Sequence, residues 1–225
     1  WLHAYREEDA MGGHDPYSAS KGAAELVISS YRRSYFQHDA SPVKVASARA
    51  GNVIGGGDWA LDRIVPDCVR AVRAGETIPV RNRTATRPWQ HVLEPLSGYL
   101  SLAASLGINR EASTPLDSAF NFGPDLTSNH SVANLVDELT RHLGGKWQDL
   151  SDQLAPHEAS KLNLATDKAY HLLDWRPTWG FEESVAQTAR WYIEEAEGVD
   201  IGNLTRSQIS GYQSAAAELN LSWSI

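Results

Sequence analysis

The sequence predicts an α/β fold, the C-terminal part of a doubly wound parallel sheet with a smaller α/β substrate-binding domain. Three observations predict it. A long helical pattern opens at Asp15-Pro16 and, after a break at Ala40-Ser41-Pro42, leads into the short apolar run Val43 to Ala50. That run has few charges and suits an interior parallel strand buried on both faces, and a helix feeding such a strand is half of a doubly wound unit. Beyond the carboxyl end of that strand, where such sheets bind ligands, four glycines fall within the seven residues from Gly51 to Gly57. A further strand pattern, Ala119 to Pro124, stops at Gly-Pro.

The elements follow in order. Asp15 is a good N-cap and Pro16 suits the first helical position, so a helix is expected from residue 16 to about 38. Ala23, Val27, Tyr31 and Tyr35 form a stripe on it, and Arg32 and Arg33 turn to solvent. Asp62 to Gly75 reads as a helix with Ile64, Val65, Cys68, Val69 and Val72 inward and Gly75 as its C-cap. Ile78-Pro79-Val80 is a short edge strand, because Pro cannot donate to a central ladder. Arg81 to Val92 reads as a basic loop with three arginines, Arg81, Arg83 and Arg87, within seven residues. Helices are expected over Leu93 to Leu106, Ser131 to Leu143, residues 166 to 174, Phe181 to about Glu197, and Leu204 to Leu219.

The whole chain bounds the function. A length of 225 residues is enough to bury a substantial core. The net charge of -8 argues against a nucleic-acid or anionic-membrane surface. No apolar run approaches the roughly 20 residues a membrane span needs, and no signal peptide is evident. The one cysteine, Cys68, excludes an internal disulfide and fits a reducing cytoplasm. The start at Trp1-Leu2-His3-Ala4-Tyr5, with neither Met nor strand, is expected to lie in mid-domain. No G-x-G-x-x-G follows a strand, so any pyrophosphate loop for a dinucleotide is expected before residue 1.

Tyr17 and Lys21 carry the chemistry. Four residues apart, they project from one helix face. A cation near the phenol, with the positive end of the helix dipole behind it, favours phenolate, which suits a general base toward a sugar or alcohol hydroxyl. The alternative is a Tyr packed on a Lys stem at a helix end. The glycine loop equally suits close backbone approach to a ligand or a mobile surface loop, and the arginines suit phosphate oxygens or a solvated loop. His157-Glu158-Ala159-Ser160-Lys161 begins like a zinc-protease helix but has Lys161 where the second His belongs, so no metal is expected.

Together these segments resemble the extended short-chain dehydrogenase/reductase superfamily, specifically its nucleotide-sugar dehydratases and epimerases, over nearly the whole chain. Tyr17-Ser18-Ala19-Ser20-Lys21 is similar to the family's Tyr-x-x-x-Lys motif. Arg49 to Asn52 is similar to its segment ending in a sugar-diphosphate Asn, and Phe120-Asn121-Phe122-Gly123 to its Tyr-Asn-hydrophobic-Gly strand. Leu173-Asp174-Trp175-Arg176-Pro177, Phe181, Thr188, Trp191 and Tyr192 fit its C-terminal pattern. The Asn52 to Trp59 loop, Asp62-Arg63 and Arg87-Pro88-Trp89-Gln90-His91-Val92 resemble the cytidine branch of the 4,6-dehydratases, those acting on CDP-glucose.

The resemblance implies a Rossmann-type sheet, NAD as cofactor and a nucleotide-diphosphate sugar as substrate. Tyr17 and Lys21 would be catalytic and, with Arg49 and Ala50, would contact NAD; Asn52, Gly57, Trp59, Arg63, Arg87 and His157 would contact the substrate. Residues 1–52 and 84–124 would complete the NAD-binding domain, and 53–83 with 125–225 would form the substrate domain. A homodimer or homotetramer is implied as well. The acid and base for removing water, and a Thr assisting Tyr17, would lie before Trp1. A 4-epimerase, another dehydratase, or a binding protein that has lost its chemistry are the alternatives. These 225 residues alone are expected to bind NAD weakly and not to turn over; conversion of CDP-glucose by this chain by itself would overturn that.

Overall fold

The computed structural model describes residues 3–13, 15–37, 41–108, 116–151 and 162–224. The first helix, α1 (Pro16–Tyr31), starts where the capping residues dictate, with the Asp15 carboxylate accepting from the Ser18 N–H at 2.9 Å. It continues as one π-helical stretch, Arg32–Phe36, in place of the uniform helix expected to about 38. The stripe on α1 is not a core face. The helix buries no residue, and Val27, Tyr31 and Tyr35 are more than half exposed.

The chain then runs through β1 (Ser47–Ala50), β2 (Val53–Ile54), α2 (Ile64–Ala74), β3 (Ile78–Val80), β4 (Thr86–Pro88), β5 (Gln90–His91) and α3 (Leu93–Ile108). It continues through β6 (Ala119–Phe122), β7 (Asn129–Ser131), α4 (Val132–Leu143), β8 (Trp147–Asp149), α5 (Asp167–Leu173), α6 (Phe181–Ala196) and α7 (Ile201–Glu218). Among the described residues β1 pairs with β6, β2 with β5 and β3 with β8, all parallel, while β4 and β7 are antiparallel. Parallel pairs joined through helices are the doubly wound pattern.

Several boundaries moved for physical reasons. β1 takes only the last four residues of the expected strand, and its Ala48 is exposed, so it is not covered on both faces. The arginine stretch is loop only to Ala85; β4 and β5 then hydrogen-bond to partners distant in sequence. β2, β4, β5, β7 and β8 are two or three residues each, too short to show a period of two. Capping behaves as sequence chemistry requires. Gly75 closes α2 at φ 69, Ser131 and Asn134 make a capping box for α4, and Asp200 caps α7, which starts at Ile201, three residues before the expected start.

Two cores result. One joins β3, α2, α4 and α6 through Cys68, Val69, Ile78, Leu135, Leu139 and Val185. The other, around Leu102, Phe120, Phe122, Ala169 and Trp175, covers β6 with α3 and α5. At the start of α3 the fully buried Glu94 carboxylate accepts from the Thr178 N–H at 2.9 Å, the Trp179 N–H at 2.7 Å and the Tyr212 hydroxyl at 2.9 Å. One side chain thus ties α3, the turn before α6, and α7. Its donors are all neutral, so burial pushes the carboxyl up to about 7.

Because an ordinary Glu titrates near 4.5 and the folded Glu94 near 7, folding takes up a proton between those values. The Glu94 contribution to stability is therefore full below about pH 4.5 and is lost as pH rises to about 7. Urea denaturation from pH 4.5 to 8 should show this slope. Glu94→Gln should remove it and lower stability throughout, because the amide aims a donor at the Thr178 or Trp179 N–H.

Candidate active site

A cavity of about 390 Å³ opens beyond the carboxyl ends of β1 and β2. Its wall takes Tyr17 from the first turn of α1, Asn52 from the β1–β2 connection, Asp58, Asp62 and Arg63 from the loop before α2, and Arg87 from β4. Distant elements therefore bring four residues that the sequence marked, Tyr17, Asn52, Arg63 and Arg87, to one space.

Each position has a local cause. Tyr17 is in the first turn of α1 because Asp15 and Pro16 start the helix there, and it is 71% exposed. Lys21 lies one turn on, its ammonium 5.5 Å from the Tyr17 ring centroid, so the pair shares a face as the spacing requires, with the cation over the ring. The Asn52 carbonyl accepts from the Gln90 N–H at 3.1 Å, which fixes the backbone between β1 and β2. Arg87 sits mid-strand opposite His130, is buried, and donates from Nη1 to the Thr86 carbonyl at 2.9 Å. Arg63 starts α2 with its guanidinium 3.8 Å from the Asp58 carboxylate.

Other marked residues lie elsewhere. Gly57, at φ 82, turns the loop behind the cavity wall, where a Cβ would lie 3.5 Å from the Trp191 ring. The Trp59 ring meets Tyr192 edge-on at 5.2 Å under the Arg73 guanidinium at 4.9 Å. Arg49 donates to the Glu25 carboxylate at 2.9 Å and to the Glu7 carbonyl at 3.2 Å, tying α1 and the N-terminal segment to β1. That guanidinium, and the Ser47 hydroxyl after it, hold the Glu25 carboxyl below its usual range against the opposing effect of burial. Ala50 faces Phe122 across the ladder, and His157 lies outside the described residues.

The arginine stretch divides. Arg81 pairs with Asp62 at 2.8 Å and Arg83 with Asp149 at 3.1 Å, so only Arg87 of the three lines the cavity. Asp58 and Asp62 fall in segments that carry the resemblance but were given no site role by sequence. Asp62 adopts φ 61, left-handed for a residue with a side chain, and no sequence pattern signals it. His91, behind the loop, is pushed down to about 4 by burial and stays neutral. Chemically, the cavity offers an exposed phenol beside an ammonium, two guanidiniums suited to phosphate oxygens, and an amide.

The sequence profile of the family described as GDP-mannose 4,6 dehydratase matches residues 3–188. The CDP-glucose 4,6-dehydratase of Salmonella typhimurium is 42% identical over 219 residues, 96% of this chain and 60% of that protein. The chain thus spans about three fifths of that relative's length. Among solved structures, a dTDP-glucose 4,6-dehydratase of Bacillus anthracis in complex with NAD superposes with a TM-score of 0.69 at 20% identity, covering 87% of this chain and 58% of that one. A dTDP-glucose 4,6-dehydratase of Streptomyces venezuelae with NAD bound gives 0.68 at 23% identity, covering 85% and 55%. These two establish the Rossmann-type fold.

The loop's seat against α6 is testable. A Cβ on Gly56 would lie 2.0 Å from Trp191 Cγ, so Gly56→Ala must displace loop or indole. It is expected to cost about 1–3 kcal/mol in urea denaturation.

Proposed function

The chain belongs to the GDP-mannose 4,6 dehydratase family, and from that premise we propose that it carries the sugar-oxidising site of an NAD-dependent CDP-glucose 4,6-dehydratase. The carrying observation is the convergence of Tyr17, Asn52, Arg63 and Arg87 on one cavity, with Lys21 against Tyr17. The cytidine choice is supported by the 42% identity to the Salmonella CDP-glucose enzyme and by the residues of the Asn52 to Trp59 loop.

In this reading Arg63 and Arg87 take the diphosphate and Asn52 the sugar end, which leaves the 4-hydroxyl at Tyr17. Tyr17 accepts the 4-hydroxyl proton as C4 is oxidised. The resulting 4-keto group acidifies C5–H, and water then leaves across C5 and C6. The chemistry NAD supplies when bound is acceptance of a hydride from C4 and its return to C6. The exposed Tyr17 phenol, with the Lys21 ammonium over its ring, suits a ribose diol. Arg49 fits a cofactor role less well, because it directs its donors to Glu25 and Glu7.

The same reading divides the chain into residues 1–52 with 84–124 for NAD and 53–83 with 125–225 for the sugar nucleotide. The two cores support the division, although Ala169 and Trp175 pack on the first unit. The exposed Leu26, Val27 and Tyr31 of α1 and Tyr35 of its π-helical continuation support pairing of two copies along that helix. No helix among the described residues is long and apolar enough to cross a membrane.

Mass spectrometry of the full-length protein, of which these 225 residues are in this reading a part, incubated separately with CDP-, dTDP- and GDP-glucose tests the substrate. The expected result is loss of one water from CDP-glucose alone; an isomer of unchanged mass would mean epimerisation instead. Tyr17→Phe should cut turnover by about 100-fold or more while leaving CDP-glucose affinity nearly unchanged. Near-normal turnover would remove Tyr17 from the base role.

A further inference from the structure

Resting on the reading of the cavity as a nucleotide-sugar site, we propose that Arg70 and Tyr192 are positioning residues that hold the ligand-facing loop 58–63 in its binding geometry. Neither side chain is part of the cavity wall. They act on three consecutive carbonyls. The Tyr192 hydroxyl on α6 donates to the Asp58 carbonyl at 2.7 Å. Arg70 on α2 donates from Nη1 to the Trp59 carbonyl at 3.0 Å and from Nη2 to the Ala60 carbonyl at 3.0 Å, while Asp67 anchors the same guanidinium.

Beyond these bonds the loop is held by the Trp59 ring against Tyr192 and Arg73 and by the Asp58 carboxylate, which accepts from the Ala60 N–H at 2.9 Å. The loop contributes to no strand ladder, and Leu61 is 77% exposed. Asp62 holds a left-handed conformation, which persists where surrounding contacts over-determine it. Those contacts include the three gripped carbonyls and the packed Trp59 ring on one side and the Arg81 ion pair on the other. The loop carries Asp58, Asp62 and Arg63 to the cavity, so its backbone position decides where the guanidinium meets a ligand. Burial pushes the Tyr192 hydroxyl up to about 12, so it stays protonated and donates at every pH of interest.

The grip is separable from folding. α2 and α6 remain joined through Val65, Cys68, Val69, Val185 and Ala189, and through Arg73, which donates to the Tyr192 carbonyl at 2.8 Å and pairs with Glu195. Arg70→Lys keeps a cation for Asp67 but lacks the planar fork needed to hold two carbonyls. Tyr192→Phe keeps the buried ring and removes only the hydroxyl.

The experiment titrates CDP into the full-length protein by calorimetry and measures its kcat and KM with CDP-glucose, alongside urea midpoints. Each variant should raise Kd and KM about 5-fold, the equivalent of one hydrogen bond, with kcat within about 2-fold and the urea midpoint near that of the unaltered protein. The double variant should lose less than the product of the two, because both act on one loop. Unchanged Kd in both variants, or binding lost only in step with the urea midpoint, overturns the positioning role. Arg63→Ala tests the site reading separately: if it leaves CDP binding intact, or if the unaltered protein binds no CDP, the site reading fails and the positioning role with it.

Discussion

The buried Glu94 carboxylate is the contact on which the rest of the site depends. By accepting from the Thr178 and Trp179 N–H groups it fixes the turn that launches α6 at Phe181. α6 then presents Ser184, whose hydroxyl accepts from the His91 N–H, Trp191, against which Gly56 lies, and Tyr192, which grips Asp58. A buried carboxyl group at the foot of α3 therefore sets the far wall of the cavity through one helix. Burying a carboxylate among neutral donors is costly, and the raised titration point records that cost.

Charge is sorted by the same framework. Arg49 is used inside the fold, on Glu25 and Glu7, where it joins α1 to β1 and so holds the helix that carries Tyr17. Arg70 and Arg73 serve the loop and the α2–α6 contact. Arg63 and Arg87 reach the cavity. These two are also held by the frame, Arg63 by the Asp58 carboxylate and Arg87 by the Thr86 carbonyl, so each guanidinium reaches the cavity in a set orientation.

The exposed pair Tyr17 and Lys21 contrasts with the buried surroundings of Arg87. One side of the cavity is a helix end held by its cap and by Arg49; the other is a ladder with Trp89 packed behind it, its indole N–H donating to the His130 carbonyl at 3.0 Å. The Tyr17 side is thus the more open one, and the Arg87 side the more buried.

How much of this was legible follows the range of each interaction. The sequence by itself determined the helices with their caps, the β1 and β6 strands, the Tyr17–Lys21 pairing and the family resemblance, because capping and i, i+4 spacing act within a turn and the motifs are contiguous. It also marked Asn52, Arg63 and Arg87 as candidates. Only the tertiary structure decided that these three share a cavity with Tyr17, that Trp59 and Arg49 are engaged elsewhere, and that the α1 stripe stays exposed. It alone showed the five short strands, the left-handed Asp62 and the Glu94 hub. Those depend on partners tens of residues away, and no local pattern encodes which distant carbonyl or carboxylate a side chain will meet.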